Sequence, residues 1–137
     1  PGVPSIPMSR IEPFKLFTVS SMDGHSVEVM PFRVMHGKLP ILGYRIGDMA
    51  WITDMLTMPE ETYAYLDGLK VLVMNALRIN PHWTHQSLDE ALLQAKRISA
   101  RQTCFVHMSH QMGLHAEVQK QLPENIALAY DGMTIEC

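Results

Sequence analysis

Residues 70–77, KVLVMNAL, form a nearly continuous apolar run, with Gly68 just before it and a polar loop after it. A run this short and this apolar on both parities reads as a strand buried on both faces, which requires cover on each side of a sheet. The next segment supplies a helix to provide it. Ser87 and Glu90 stand at capping-box spacing, and Leu88, Ala91, Leu92, Ala95 and Ile98 fall on one helical face behind them. The alternation then continues: QTCFVHM (102–108) as a strand, LHAEVQKQL (114–122) as a short helix, and IALAY (126–130) as a strand. Asp131–Gly132 turns into a last short strand, MTIEC.

Upstream of Asp54 the period is two. FKLFTV (14–19) alternates, SSMDGHS is a turn, and VEVMPFRVM (27–35) is a second strand, with Pro31 making it an edge, bulged or interrupted strand. ILGYRI (41–46) and MAWIT (49–53) flank Gly47–Asp48, a hairpin signal. TMPEETYAYLDG then predicts a helix, with Thr57 and Glu60 as a capping box, Pro59 in the first turn and Gly68 closing it. Residues 1–13 hold four prolines and no periodicity, and read as an extended leader before a domain over 14–137. The element order is β-β-β-β-α-β-α-β-α-β-β, which is α/β (α+β): a mixed sheet with helices on one face. The N-terminal strands bring no helices of their own, so the other face needs a second layer, as in half of a two-sheet sandwich.

The totals narrow the function. A chain of 137 residues, 47% hydrophobic, is one packed domain. A formal net charge of −3 gives no basic stripe, so no nucleic-acid partner is expected. No segment has the ~18 continuous apolar residues of a membrane span. Cys104 lies in an apolar run and Cys137 is terminal. Two such cysteines read as reduced thiols, and a cytoplasmic location is expected. The eleven methionines are scattered and read as adaptable core filler.

Chemistry in α/β sheets collects where strands end. Here His36 follows the second strand, Asp54 follows MAWIT, His82 and His85 follow KVLVMNAL by a short loop, and His107 ends QTCFV. Imidazole and carboxylate are the usual donors to Zn²⁺, Mn²⁺ or Fe²⁺. His25 beside Gly24, His115 in a helix's first turn, and Asp131 in YDGM read as solvated or turn residues. His110 can cap a helix or orient a neighbour.

Taken together, "VMHGKLPILGYRIGD", "WITD", "LKVLVMNALR", "THQSLDEAL", "FVHMSHQMGLH" and "LAYDGMTI" resemble the C-terminal half of metallo-β-lactamase-fold hydrolases. The nearest branch is that of the phosphoribosyl 1,2-cyclic phosphate phosphodiesterases. The resemblance runs from about residue 27 to the end. It implies half of an αββα sandwich and two divalent metal ions, Zn²⁺ or Mn²⁺. His36, Asp54 and His107 would be metal ligands, with Asp54 bridging. His85 would be a catalytic, non-ligand histidine that assists the leaving group, and His110 a support to the ligands. The implied reaction is hydrolysis of a small-molecule phosphodiester by a metal-bridging hydroxide. The family's H-x-H-x-D-H motif does not occur in this chain. The expectation is therefore a chain that begins just after a missing N-terminal half, with an incomplete site and little activity by itself. Two alternatives stay open: a non-catalytic half-fold that self-associates through its open sheet, and a single-metal site using His82 or His85 with His107.

Overall fold

The structure, a computed structural model, describes residues 8–136. Its strands are β1 (Phe17–Ser20), β2 (Ser26–His36), β3 (Leu39–Ile46), β4 (Met49–Ile52), β5 (Val71–Asn75), β6 (Gln102–Val106) and β7 (Ile126–Leu128). Two α-helices, α1 (Leu88–Ile98) and α2 (His115–Gln119), follow β5 and β6. The strands lie side by side in chain order in one seven-stranded sheet. From β1 to β4 each pair is antiparallel, and from β4 to β7 each pair is parallel. Two reversals between β2 and β4 leave β2 running the same way as β4, β5 and β6, so all four deliver their C-terminal ends to one edge of the sheet.

The mixed sheet with helices on one face is as the sequence implies, and β5 is buried at every position. Its alternate residues feed two different cores. Leu72 and Met74 join Phe32, Ile52, Phe105 and Leu128 in the main cluster, which α1 closes with Leu88, Ala91, Ala95 and Ile98. Val71 and Val73 join Cys104 on the opposite face, against Met133 and Ile135 of the C-terminal segment. Farther along, Trp51 of β4 is 46% exposed. The capping box at Ser87 is formed in both directions, and α1 ends on Ser99 in a left-handed conformation.

Several elements depart from their expected form. The helix expected from Thr57 is a six-residue 3₁₀ helix, Glu60–Tyr65, whose N-cap is Pro59 with no side-chain cap. Thr57 is otherwise engaged: its carbonyl accepts the N–H of Met35 at 2.9 Å, in a bridge to the end of β2. Backbone committed to a bridge is not free to start a helix. Pro31 does not interrupt β2. It stands just past the point where β2 stops pairing with β1, after Val29, and pairs with β3 instead. There its missing N–H costs no ladder bond toward β1.

The helix expected over 114–122 is five residues long. Gln119 at its end turns back to β7, accepting from the Leu128 N–H at 2.7 Å and donating to the Ile126 carbonyl at 3.0 Å. MTIEC forms no strand over residues 133–136, where Met133 and Ile135 serve as cover. Residue 137 lies outside the described residues. Of the expected leader, residues 1–7 also lie outside them, and 8–12 carry no helix or strand.

Candidate metal centre

At the shared sheet edge the chain stitches one segment, residues 54–57, to three different elements. Met35 of β2 exchanges backbone bonds with Leu56 and Thr57. Gln86, in the loop after β5, donates its N–H to the Met55 carbonyl at 3.0 Å. Asn75, the last residue of β5 and fully buried, accepts from the Met55 N–H and donates to the Met55 carbonyl, both at 2.8 Å. This bracing holds Asp54 at φ 58°, a left-handed conformation that aspartate tolerates better than most residues. His107 has φ 60°. An imidazole held in that region by its surroundings is the kind of strain that collects at functional sites.

Asp54 is the hub. Its Oδ1 lies 3.0 Å from His85 Nε2 and 3.2 Å from His107 Nε2. The rings of His85 and His107 stack at 5.0 Å and 15°, and His36 meets His85 edge-on at 4.6 Å. The hydrogen bond from His85, outweighing burial and assisted by His107, holds the Asp54 carboxyl below its ordinary range, so it is ionised at neutral pH. His36 Nδ1 lies 2.8 Å from the Asp54 carbonyl. A carbonyl only accepts, so Nδ1 carries the hydrogen and Nε2 is left with a lone pair.

That donor chemistry suits a divalent cation. His36, Asp54 and His85 each offer a ligand atom, and these atoms lie within 4.8 Å of one another. His107 reaches the same carboxylate oxygen. The structure thus brings together His36, Asp54, His85 and His107, with His82 behind His85 at a ring separation of 5.2 Å. Partial burial, Arg78 and the neighbouring imidazoles all depress the His82 pKa, favouring its neutral form. His110, itself exposed, opens a 3₁₀ turn, His110–Met112, and makes no contact with this cluster among the hydrogen bonds of the described residues. His115 donates to or accepts from nothing in the cluster; its Nε2 donates to the Leu128 carbonyl at 3.1 Å. His25 is exposed, beside Asp23.

Sequence reasoning missed two contributors: Asn75, and Thr84, whose Oγ1 lies 2.9 Å from His85 Nδ1. Asn75 carried a signal, a carboxamide inside an otherwise apolar buried strand. Polar groups in that setting need partners, and its partners are the backbone that aims Asp54. Asn75→Ala is expected to destabilise the fold by about 1–3 kcal/mol, since it leaves the buried Met55 N–H without its acceptor. It should also weaken metal binding. Denaturant titration and metal titration of the same sample check both.

Comparison with known proteins identifies the family and the fold in which this cluster sits. Residues 1–108 match the family model described as "Beta-lactamase superfamily domain". Over 134 residues the chain is 36% identical to an octanoyltransferase of Porphyromonas gingivalis, covering 97% of this chain and 26% of that protein. Among solved structures, a diphosphatase of the PhnP family superposes with a TM-score of 0.87 at 35% identity, covering 96% of this chain and 49% of that one. Zn²⁺-bound PqqB from Methylobacterium extorquens superposes with a TM-score of 0.66 at 15% identity, covering 93% and 55%. The chain therefore spans a quarter of the first relative and about half of each of these structures. With its family model matched over most of its length and its sheet shared with these structures, the chain belongs to the β-lactamase superfamily and has the metallo-β-lactamase fold.

Proposed function

We propose that the chain supplies part of the active site of a metal-dependent hydrolase acting on phosphoryl esters of small molecules. The observation that carries this reading is the convergence of His85 and His107 on one ionised carboxylate at a single sheet edge, with His36 packed edge-on against His85. Two of those residues, Asp54 and His107, are held in left-handed backbone. The PhnP-family diphosphatase, the solved structure with 35% identity, supports phosphoryl chemistry. His36, Asp54 and His107 would hold the divalent ions, Zn²⁺ or Mn²⁺, with Asp54 shared between two of them. Bound there, such ions polarise a phosphoryl oxygen and acidify water. His85 sits deeper, its side chain 12% exposed. It holds a proton at Nε2 against Asp54 and passes it to the departing alkoxide as the P–O ester bond breaks.

The octanoyltransferase match does not favour acyl transfer by these residues. The site presents imidazoles and a carboxylate, while Cys104 is buried within the sheet and burial pushes its thiol pKa up. The half-exposed Trp51, on the sheet face that the C-terminal segment covers only in part, supports a further reading. That face would receive either the other half of a two-layer domain or a second copy of this chain.

The test is hydrolysis of bis(p-nitrophenyl) phosphate and of a nucleoside diphosphate by the full-length protein, as purified, after chelation, and after return of Zn²⁺ or Mn²⁺. Activity lost on chelation and restored by metal is the expected result. Stoichiometric metal by elemental analysis should accompany it. A metal-free, inert protein that elutes as a dimer would instead establish the non-catalytic, self-associating module.

A further inference from the structure

Trp83 is 90% exposed, yet it stands in the loop that delivers His85, two residues further on. Two residues of chain span at most about 7 Å. Trp83 therefore stands beside the candidate metal centre, beyond the strand ends, and apart from the sheet face that holds Trp51. Its backbone packs against the turn that follows His36. A Cβ placed on Gly37 would lie 3.1 Å from Thr84 Cγ2 and 3.5 Å from the Trp83 carbonyl oxygen. Leu39, which pairs with His36 across that turn, is exposed as well. The loop itself is braced. Arg78 donates to the carbonyls of Asn80 and Pro81 and to the side chain of Gln111. The Thr84 N–H donates to His82 Nδ1 at 3.3 Å, closing a short turn with Trp83 at its tip. An indole left in water contributes little to folding. On a braced loop it offers a flat face that loses only two side-chain torsions on contact. Apolar surface beside a few convergent polar groups is the usual make-up of a small-molecule site.

We propose that Trp83 is a specificity-determining residue: a platform on which a planar ring of the substrate, of the nucleobase kind, stacks while its phosphoryl group sits at the centre built on Asp54. Nucleotides are then preferred over phosphates of alcohols that carry no flat ring. Every base has a π-face, so the preference is for a ring and not for one particular base. Trp83 touches no reacting atom; it selects what is held there. The proposal rests on the reading of the site as one for phosphoryl esters, but stacking is measured by binding and needs no turnover.

The test is isothermal titration of the full-length protein, supplied with Zn²⁺ or Mn²⁺, with AMP and with ribose 5-phosphate. These monoesters differ only in the base. The wild type is expected to bind AMP more tightly, and Trp83→Ala should cut that preference by about 5–150-fold, the range measured for loss of one stacking aromatic. Trp83→Phe keeps a flat ring and should keep most of the preference. Because the side chain is exposed, thermal melts of both variants should match the wild type. A loss shared equally by the two ligands marks a merely structural role and overturns the proposal. Equal affinities in the wild type, no binding of either ligand, or a preference that survives Trp83→Ala overturns it too. The chelation and metal-return assay above judges the hydrolase reading separately. A metal-dependent hydrolase whose Trp83→Ala form keeps the preference loses the platform and retains that reading. An inert protein with a Trp83-dependent preference loses the reading and retains the platform as a nucleotide site.

Discussion

Asp54→Ala is expected to abolish metal binding, lowering affinity by more than the ~10–100-fold typical of losing a group that merely orients a ligand. Isothermal titration with Zn²⁺ or Mn²⁺ measures it directly. Two physical losses coincide in this variant. The carboxylate oxygen on which His85 and His107 converge disappears, and an alanine is forced to φ 58°, costing about 1–2 kcal/mol. Asp54→Asn separates them. Asparagine accepts the left-handed conformation, so thermal stability should stay close to wild type while metal affinity falls. If asparagine binds metal as well as aspartate does, the carboxylate is not the hub.

Gly43→Ala should be the most damaging single-atom addition in the sheet. Gly43 of β3 pairs directly with Phe32 of β2, and a Cβ there would lie 2.3 Å from Phe32 Cε2 and 2.7 Å from Cζ. Phe32 is fully buried in the main core, so its ring has little room to withdraw. A loss of about 1–3 kcal/mol is expected for alanine, and unfolding for valine. Phe32→Leu should cost about 1 kcal/mol or more by itself. Because the clash is with the ring, the double variant should be clearly less destabilised than the sum. Thermal melts of all four proteins close the cycle; additive effects would show that the ring is not the obstacle.

Patterns fixed by short range were legible in the chain, and those decided by contact were not. The buried parallel strand at 71–75 announced itself because both of its faces must be apolar, and Ser87 and Glu90 because a capping box involves only one turn. Asp54, His85 and His107 could be picked out as strand-end donors, since the end of a parallel strand is visible as a change of period. That all three meet at one oxygen was beyond any local pattern. It depends on Asn75 and Gln86 holding the backbone beside Asp54, across 20 and 31 residues of sequence. Thr57 and Glu60 mimic a capping box faithfully, and only the competing bridge to Met35 cancels it. Thr84 carried no signal at all, because a threonine between two histidines is unremarkable until the rings are placed around it.

The unbroken order of the seven strands has a consequence for how the molecule is made. Each strand emerging from a ribosome finds its one earlier neighbour already synthesised, so the sheet can grow along one direction without waiting for a distant partner. Donors arrive in the same sequence, His36, then Asp54, then His85, and last His107, which comes only when β6 has docked. A nascent chain stalled before residue 102 would present a partly assembled centre. With the metal site proposed above, tight capture of a cation would mark the moment at which the sixth strand is in place.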